Sequence, residues 1–193
     1  MCDDEANSVE VRASSMAIPR HGCWVHEYRE LMCSFPTGVT VVTAIAAGGT
    51  PRGLTCSSLT SVTLAPPTLL VCLASKSPTL EAVRASGAFA VNLLHARARA
   101  SAQLFATPGA NRFANTVWRA AGPYGLPHLV DDAFAVADCR LASEVLVGDH
   151  TIVLGVVEAI DHDADQPLLY GLRGFASWPT SSPPESACAE ADA

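Results

Sequence analysis

The sequence predicts a mainly β fold with short helices, and three observations carry that expectation. Val39 to Ala46 and Thr151 to Ile160 are β-branched and apolar, while LLVCLA (Leu69 to Ala74) and FAVNLL (Phe89 to Leu94) are apolar runs of strand length. Gly48-Gly49-Thr50 and Gly148-Asp149 fall between such runs, where a tight reversal needs positive φ. The remaining stretch, Gly53 to Pro67 (GLTCSSLTSVTLAPP), sets short hydroxyls and a thiol in an apolar background, which suits a half-buried strand better than a solvated loop. With 193 residues, 49% hydrophobic and 16% charged, at a mean hydropathy of +0.25, the chain is sized for one well-buried domain.

In chain order, residues 1–24 are acidic and then mixed, lack the apolar core of a signal peptide, and are expected to form a flexible N-terminal tail. The domain is expected over 25–176. Val25 to Cys33 (VHEYRELMC) has Tyr28, Leu31 and Met32 at helical spacing, and Ser34-Phe35-Pro36 ends that helix. Val39 to Ala46 is a strand that turns at the glycine pair into another beginning near Arg52. Pro66-Pro67 excludes a helix and forces an extended exit. Leu69 to Ala74, apolar without a break, reads as a strand buried on both faces. Ser77 can cap a helix that has Pro78 in its first turn and runs to about Ala85. A strand over Phe89 to Leu94 and an alanine-rich helix over Ala96 to Ala106 follow. Phe134 to Val147 and Thr151 to Ile160 make a long hairpin of the kind found in barrel walls. Residues 177–193, with TSSPP and then small and acidic residues, are expected to be a disordered C-terminal tail.

Composition excludes several functions. A net charge of −7, scattered arginines and Lys76 as the only lysine argue against nucleic acid. No apolar run reaches the length of a membrane span. Seven cysteines at irregular spacing, some inside apolar runs, read as reduced thiols in a cytoplasmic setting. His21 and His26 lack companions for a tetrahedral set, so no metal is expected. The chain has no dinucleotide glycine fingerprint, phosphate loop, serine elbow or metalloprotease helix.

Five features could carry chemistry, and each allows two readings from the residues alone. Thr55, Ser57, Ser58 and Ser61 could bond the polar rim of a heteroaromatic ring, or merely the local backbone. The helix start at Ser77, flanked by Lys76 and Thr79, could hold a phosphate or be an ordinary capped helix. Asn92, a polar amide in an apolar strand, must find a partner, either a ligand or neighbouring backbone. Arg112 could reach a phosphate or lie on the surface. His150 could face a ligand or pair with Asp149 at an exposed turn.

Phe35-Pro36-Thr37-Gly38-Val39-Thr40-Val41-Val42-Thr43, the hydroxyl-rich stretch, LLVCLASKSPT, FAVNLL, GDH (Gly148 to His150) and PLLY (Pro167 to Tyr170) occur in an order and spacing that resembles the flavin reductase family, over roughly Leu31 to Phe175. The resemblance implies an FMN-binding split β-barrel and an NAD(P)H-dependent flavin reductase, with NADH as the expected donor and FAD or FMN as the flavin. By the same resemblance, Pro36, Thr37 and Gly38 would edge the flavin ring; Thr55, Cys56, Ser57 and Ser58 would lie along its polar rim, with Ser61 nearby. Ala74, Lys76, Ser77 and Thr79 would serve the phosphate side, and Asn92 would approach the flavin. His150 would place the nicotinamide and Tyr170 would line the same mouth. The family forms homodimers and passes reduced flavin to a separate flavin-dependent monooxygenase or halogenase, often in natural-product pathways. An apolar composition agrees with a subunit interface. A flavin-binding module without turnover, such as a sensor or electron carrier, is the alternative; a split-barrel oxidase of a phosphorylated pyridoxine fits less well, since its site should gather more cations.

Overall fold

The computed structural model describes residues 22–178. The expected tails, 1–24 and 177–193, therefore fall almost wholly outside the described residues, as does His21. Contacts divide the chain after Met32. Helix α1 (Gly22–Cys33) is thus described by itself; it matches the helix expected from Val25 and begins one turn earlier.

The second unit holds β1 (Thr37–Gly38), β2 (Thr40–Ile45), β3 (Pro51–Cys56), β4 (Thr60–Leu64), β5 (Pro67–Ala74), α2 (Pro78–Ser86), β6 (Ala88–Leu94) and α3 (Arg99–Ala106). It continues with β7 (Trp118–Ala121), β8 (Leu126–Leu129), β9 (Ala133–Val147), β10 (His150–His162), β11 (Leu168–Gly171) and β12 (Gly174–Ser177). Seven strands form one antiparallel sheet in the order β3-β2-β6-β9-β10-β5-β4. Its two edges, β3 and β4, are consecutive in the chain, so Ser57-Ser58-Leu59 crosses from one edge to the other. Across that seam β3 touches β5, and Cys56 of β3 shares a buried cluster with Leu69, Val71 and Leu73 of β5. A sheet curled until its edges meet but do not pair is a split barrel.

The hydroxyl-rich stretch is therefore two strands with a corner between them, and not the one strand expected. Ser58 explains the break, because its Oγ accepts from the Cys72 N–H at 2.8 Å and lies 3.1 Å from the Cys56 Sγ. Pro66-Pro67 closes the β4–β5 turn. The expectation that Leu69 to Ala74 is buried on both faces also needs correction: Leu69, Val71 and Leu73 are buried, while Leu70 and Cys72 are half-buried on the outward face. β2 and β6 are buried on both sides; in β2, Val42 and Ala44 face the barrel interior while Val41 packs with α3 residues Ala102 and Phe105. Both expected hairpins form, one turning at Gly48 and Gly49 (φ +85° and +81°) and the other at Gly148 (φ +60°). Two short elements had no sequence signal: the β7–β8 hairpin and the small β1-β11-β12 sheet.

Candidate functional site

The β1-β11-β12 sheet places the Phe35–Gly38 segment. Thr37 pairs with Tyr170 and Gly38 with Leu169, while Gly171 packs so closely on Pro36 that an added Cβ would lie 3.1 Å from it. This segment, Ser57 and Thr60 line a cavity of about 320 Å³. A second cavity, of about 650 Å³, lies beside it, between Thr55, Ser57, α3 and the Tyr170–Phe175 pair, whose rings meet edge-on at 5.2 Å. Val39 and Ser57 line both. Ser57 is exposed, and its hydroxyl makes no hydrogen bond among the described residues.

One residue of alternation separates Ser57 from its neighbours. The Thr55 hydroxyl donates to the Ala102 carbonyl at 2.6 Å, tying β3 to α3. Cys56 points into the barrel, where burial raises its thiol pKa and keeps it neutral. Ser58 is occupied at the seam, donating to the Cys72 carbonyl at 3.2 Å as well as accepting from its N–H. Ser61 is exposed on β4, outside both cavities.

The second group of expected residues gathers at the C-terminal end of β5. Ala74 lies opposite His150, and the Ser75 N–H donates to the Asp149 carbonyl at 2.9 Å, so the GDH turn sits against the approach to α2. Ser77 caps that helix, its Oγ accepting from the Thr79 N–H. Thr79 is buried and Lys76 exposed. His150 is half-exposed; its Nδ1 pairs with the Asp149 carboxylate at 2.8 Å, which holds that carboxyl below its ordinary pKa. Ser58 binds Cys72, two residues before Ala74, so the two groups are joined along about 7 Å of one strand. Tyr170 lines the second cavity, and His150 lines neither.

Asn92 takes the structural reading of the two that its sequence allowed. It is fully buried, its Nδ2 donating to the Val41 and Pro127 carbonyls and to Thr43 Oγ1, its Oδ1 accepting from the Leu129 N–H. Its amide hydrogens and one acceptor position of its oxygen fasten β8 over β2 and β6, in the interior of the chain.

What remains is a split barrel with a free hydroxyl between two apolar-walled cavities at its seam, and a capped helix start with an adjacent lysine at the strand end nearby. That set of donors fits a flat heteroaromatic ring with a polar rim and a phosphate tail, and defines a flavin-binding split barrel. Residues 32–179 match the family described as "Flavin reductase like domain", and the chain belongs to that family. It is 54% identical to a flavin reductase (NADPH) of Lentzea aerocolonigenes, the match covering 79% of this chain and 89% of that one. It is 41% identical to a flavin reductase (NADH) of Kitasatospora aureofaciens, over 83% of this chain and 85% of the relative. Among solved structures, the NADH:FAD oxidoreductase SgcE6 of Streptomyces globisporus, in complex with NAD and FAD fragments, superposes with a TM-score of 0.77 at 30% identity, covering 88% of this chain and all of that one (100%). BorF, the flavin reductase component of a bacterial two-component tryptophan halogenase, gives 0.73 at 31% identity over 81% of this chain and 99% of that one.

Proposed function

We propose that this protein reduces FAD or FMN with NAD(P)H and releases the reduced flavin to a separate flavin-dependent monooxygenase or halogenase. Membership of the family supports the reaction, and the single structural observation that carries it is the unpartnered Ser57 hydroxyl shared by two apolar-walled cavities at the barrel seam. Hydride transfer between nicotinamide and flavin is chemistry that the two cofactors supply, so the protein needs to orient them and exclude water, without an acid–base dyad. Pro36, Thr37, Gly38 and Ser57 form the ring edge of the site. Ala74, Lys76, Ser77 and Thr79 form its phosphate side, where the backbone N–H groups at the start of α2 face an anion. Asp149 fixes His150 by its Nδ1, leaving Nε2 for a nicotinamide amide. Thr55, Cys56 and Ser58 hold the strand that presents Ser57.

The active form is a homodimer. The outward face of β5 and β10 carries Leu70, Cys72, Ile152 and Leu154 in register, all half-buried and all apolar. β9 adds Val145 opposite Ile152. The described cysteines Cys33, Cys56, Cys72 and Cys139 are free thiols, which suits a cytoplasmic protein. No described helix is long and apolar enough to cross a membrane.

Anaerobic oxidation of NADH and NADPH, with FAD, FMN or riboflavin in large excess over protein, tests the proposal. Bleaching of many flavin equivalents per chain is expected. Bleaching that stops near one equivalent would show a retained cofactor and refute the diffusible-flavin reading.

A further inference from the structure

A cavity of about 190 Å³ opens where the β9–β10 hairpin ends farthest from its GDH turn, against the β7–β8 hairpin. Its polar lining is Arg119, His128, Asp161 and Asp163, with Phe134 and Val136 among its apolar walls. Phe134 also lines the ring-edge cavity, the one residue the two have in common. His128 is buried, its side chain 7% exposed. Its Nε2 bonds the Asp138 carboxylate at 3.0 Å, and Asp138 does not line the cavity; its Nδ1 is buried without a partner. In a neutral imidazole the proton sits on the nitrogen that faces the carboxylate, which leaves Nδ1 as an acceptor. Arg119 is taken by Asp161 at 3.2 Å. Asp163 has no ion-pair partner among the described residues, and its N–H donates to the Phe134 carbonyl at 2.7 Å, which fixes it at the rim.

What this cavity lacks is a donor. Its unsatisfied groups, the His128 Nδ1 lone pair and the Asp163 carboxylate, are both acceptors, and an acceptor buried without a partner is costly. No group of three or more His, Cys, Asp or Glu able to hold a metal ion occurs among the described residues. A primary ammonium supplies what is missing, with three N–H donors and a charge opposite to that of Asp163. The volume lies below that of an ordinary drug-sized site, so the occupant is small, and its apolar part has Phe134 and Val136 to lie on. We propose that this cavity binds a small primary ammonium compound, either a simple amine or the amino end of an amino acid, and that its occupancy is felt at the flavin site through Phe134. The binding stands apart from the function proposed above, and only the coupling rests on it.

Heteronuclear NMR titration of the isotope-labelled protein with n-propylammonium chloride tests the site. L-alanine separates an amino acid from a simple amine, and tetramethylammonium chloride, which has the charge but no N–H, is the control. Saturable amide shifts centred on His128, Phe134 and Asp163 are expected, with a Kd raised roughly tenfold in Asp163→Asn. Asp163 is exposed, so that variant should fold; Asp131→Asn, which alters an exposed carboxylate outside the cavity, should bind as the wild type does. Tighter binding of L-alanine assigns the cavity to an amino acid, with Arg119 beside its carboxylate, and tighter binding of propylammonium assigns it to a simple amine. Either result sustains the proposal. No saturable shift with either compound, an equal response to tetramethylammonium, or an unchanged Kd in Asp163→Asn would overturn it. FMN titration with and without saturating ligand reads the coupling: a Kd changed roughly fivefold is expected, and an unchanged one would refute the link through Phe134. A protein that binds no FMN would refute the reductase reading and the coupling together, while the propylammonium titration still decides the site.

Discussion

Ser57 and Asn92 look alike in the sequence, each a small polar residue among apolar ones, and the structure gives them opposite duties. Asn92 joins three chain segments from the interior, whereas Ser57 offers an unbonded hydroxyl to two cavities. Asn92→Ala is expected to cost roughly 2–4 kcal/mol, because it leaves buried N–H and C=O groups of β2 and β8 unpaired. Ser57→Ala should leave stability unchanged and weaken flavin binding. Denaturant unfolding and flavin titration of both variants separate the roles, and a Ser57→Ala protein with wild-type flavin affinity would contradict its place in the site. The sequence showed that Asn92 needed a partner but not which one, since Val41, Pro127 and Leu129 lie far away along the chain. Whether Ser57 or Ser58 faces the cavity depended on a corner that local pattern does not reveal. That corner is set by Cys72, on another strand.

Long elements with strong patterns were legible, and short ones were not. The β9–β10 hairpin follows from its β-branched runs around Gly148, and α2 follows from Ser77-Pro78 and ends at Gly87, where φ is +69°. The strands β7 and β8 read Trp-Arg-Ala-Ala and Leu-Pro-His-Leu, with little β propensity, and exist because Asn92 and the buried His128–Asp138 pair (3.0 Å) anchor them to the sheet. Tertiary contacts, absent from any local window, overrode propensity there. Gly155 in β10 is a related case. An added Cβ would come within 2.5 Å of the fully buried Phe89 ring and 2.8 Å of the Cys139 Cβ, so the strand passes closer to β6 and β9 than any side chain allows. Gly155→Ala should force Phe89 from its place and destabilise the barrel by about 1–3 kcal/mol. A lowered unfolding midpoint is the expected result, and an unchanged one would mean that the core adjusts freely around Phe89.

At the scale of the whole molecule, the excess of apolar residues in the composition has a visible destination. A strand whose inner face builds a core ordinarily turns polar residues to water, yet β5 and β10 turn outward Leu70 against Leu154 and Cys72 against Ile152. Continuous apolar sequence led to the expectation of a strand buried on both faces, and the single chain covers only one. In the homodimer proposed above, a twofold partner would lay the same apolar surface on this one and complete the burial that the sequence anticipates. The adjoining edge strand β4 exposes Val62 and Leu64 and extends the surface. Leu154→Glu would place a charge in the middle of that contact, where it has no counter-charge and loses its water. Sedimentation velocity is expected to show a dimer for the wild type and a monomer for Leu154→Glu, with the strand content of the two alike by circular dichroism. A wild type that sediments as a monomer across the concentration range of the assay would refute the interface, and so would a variant that remains dimeric.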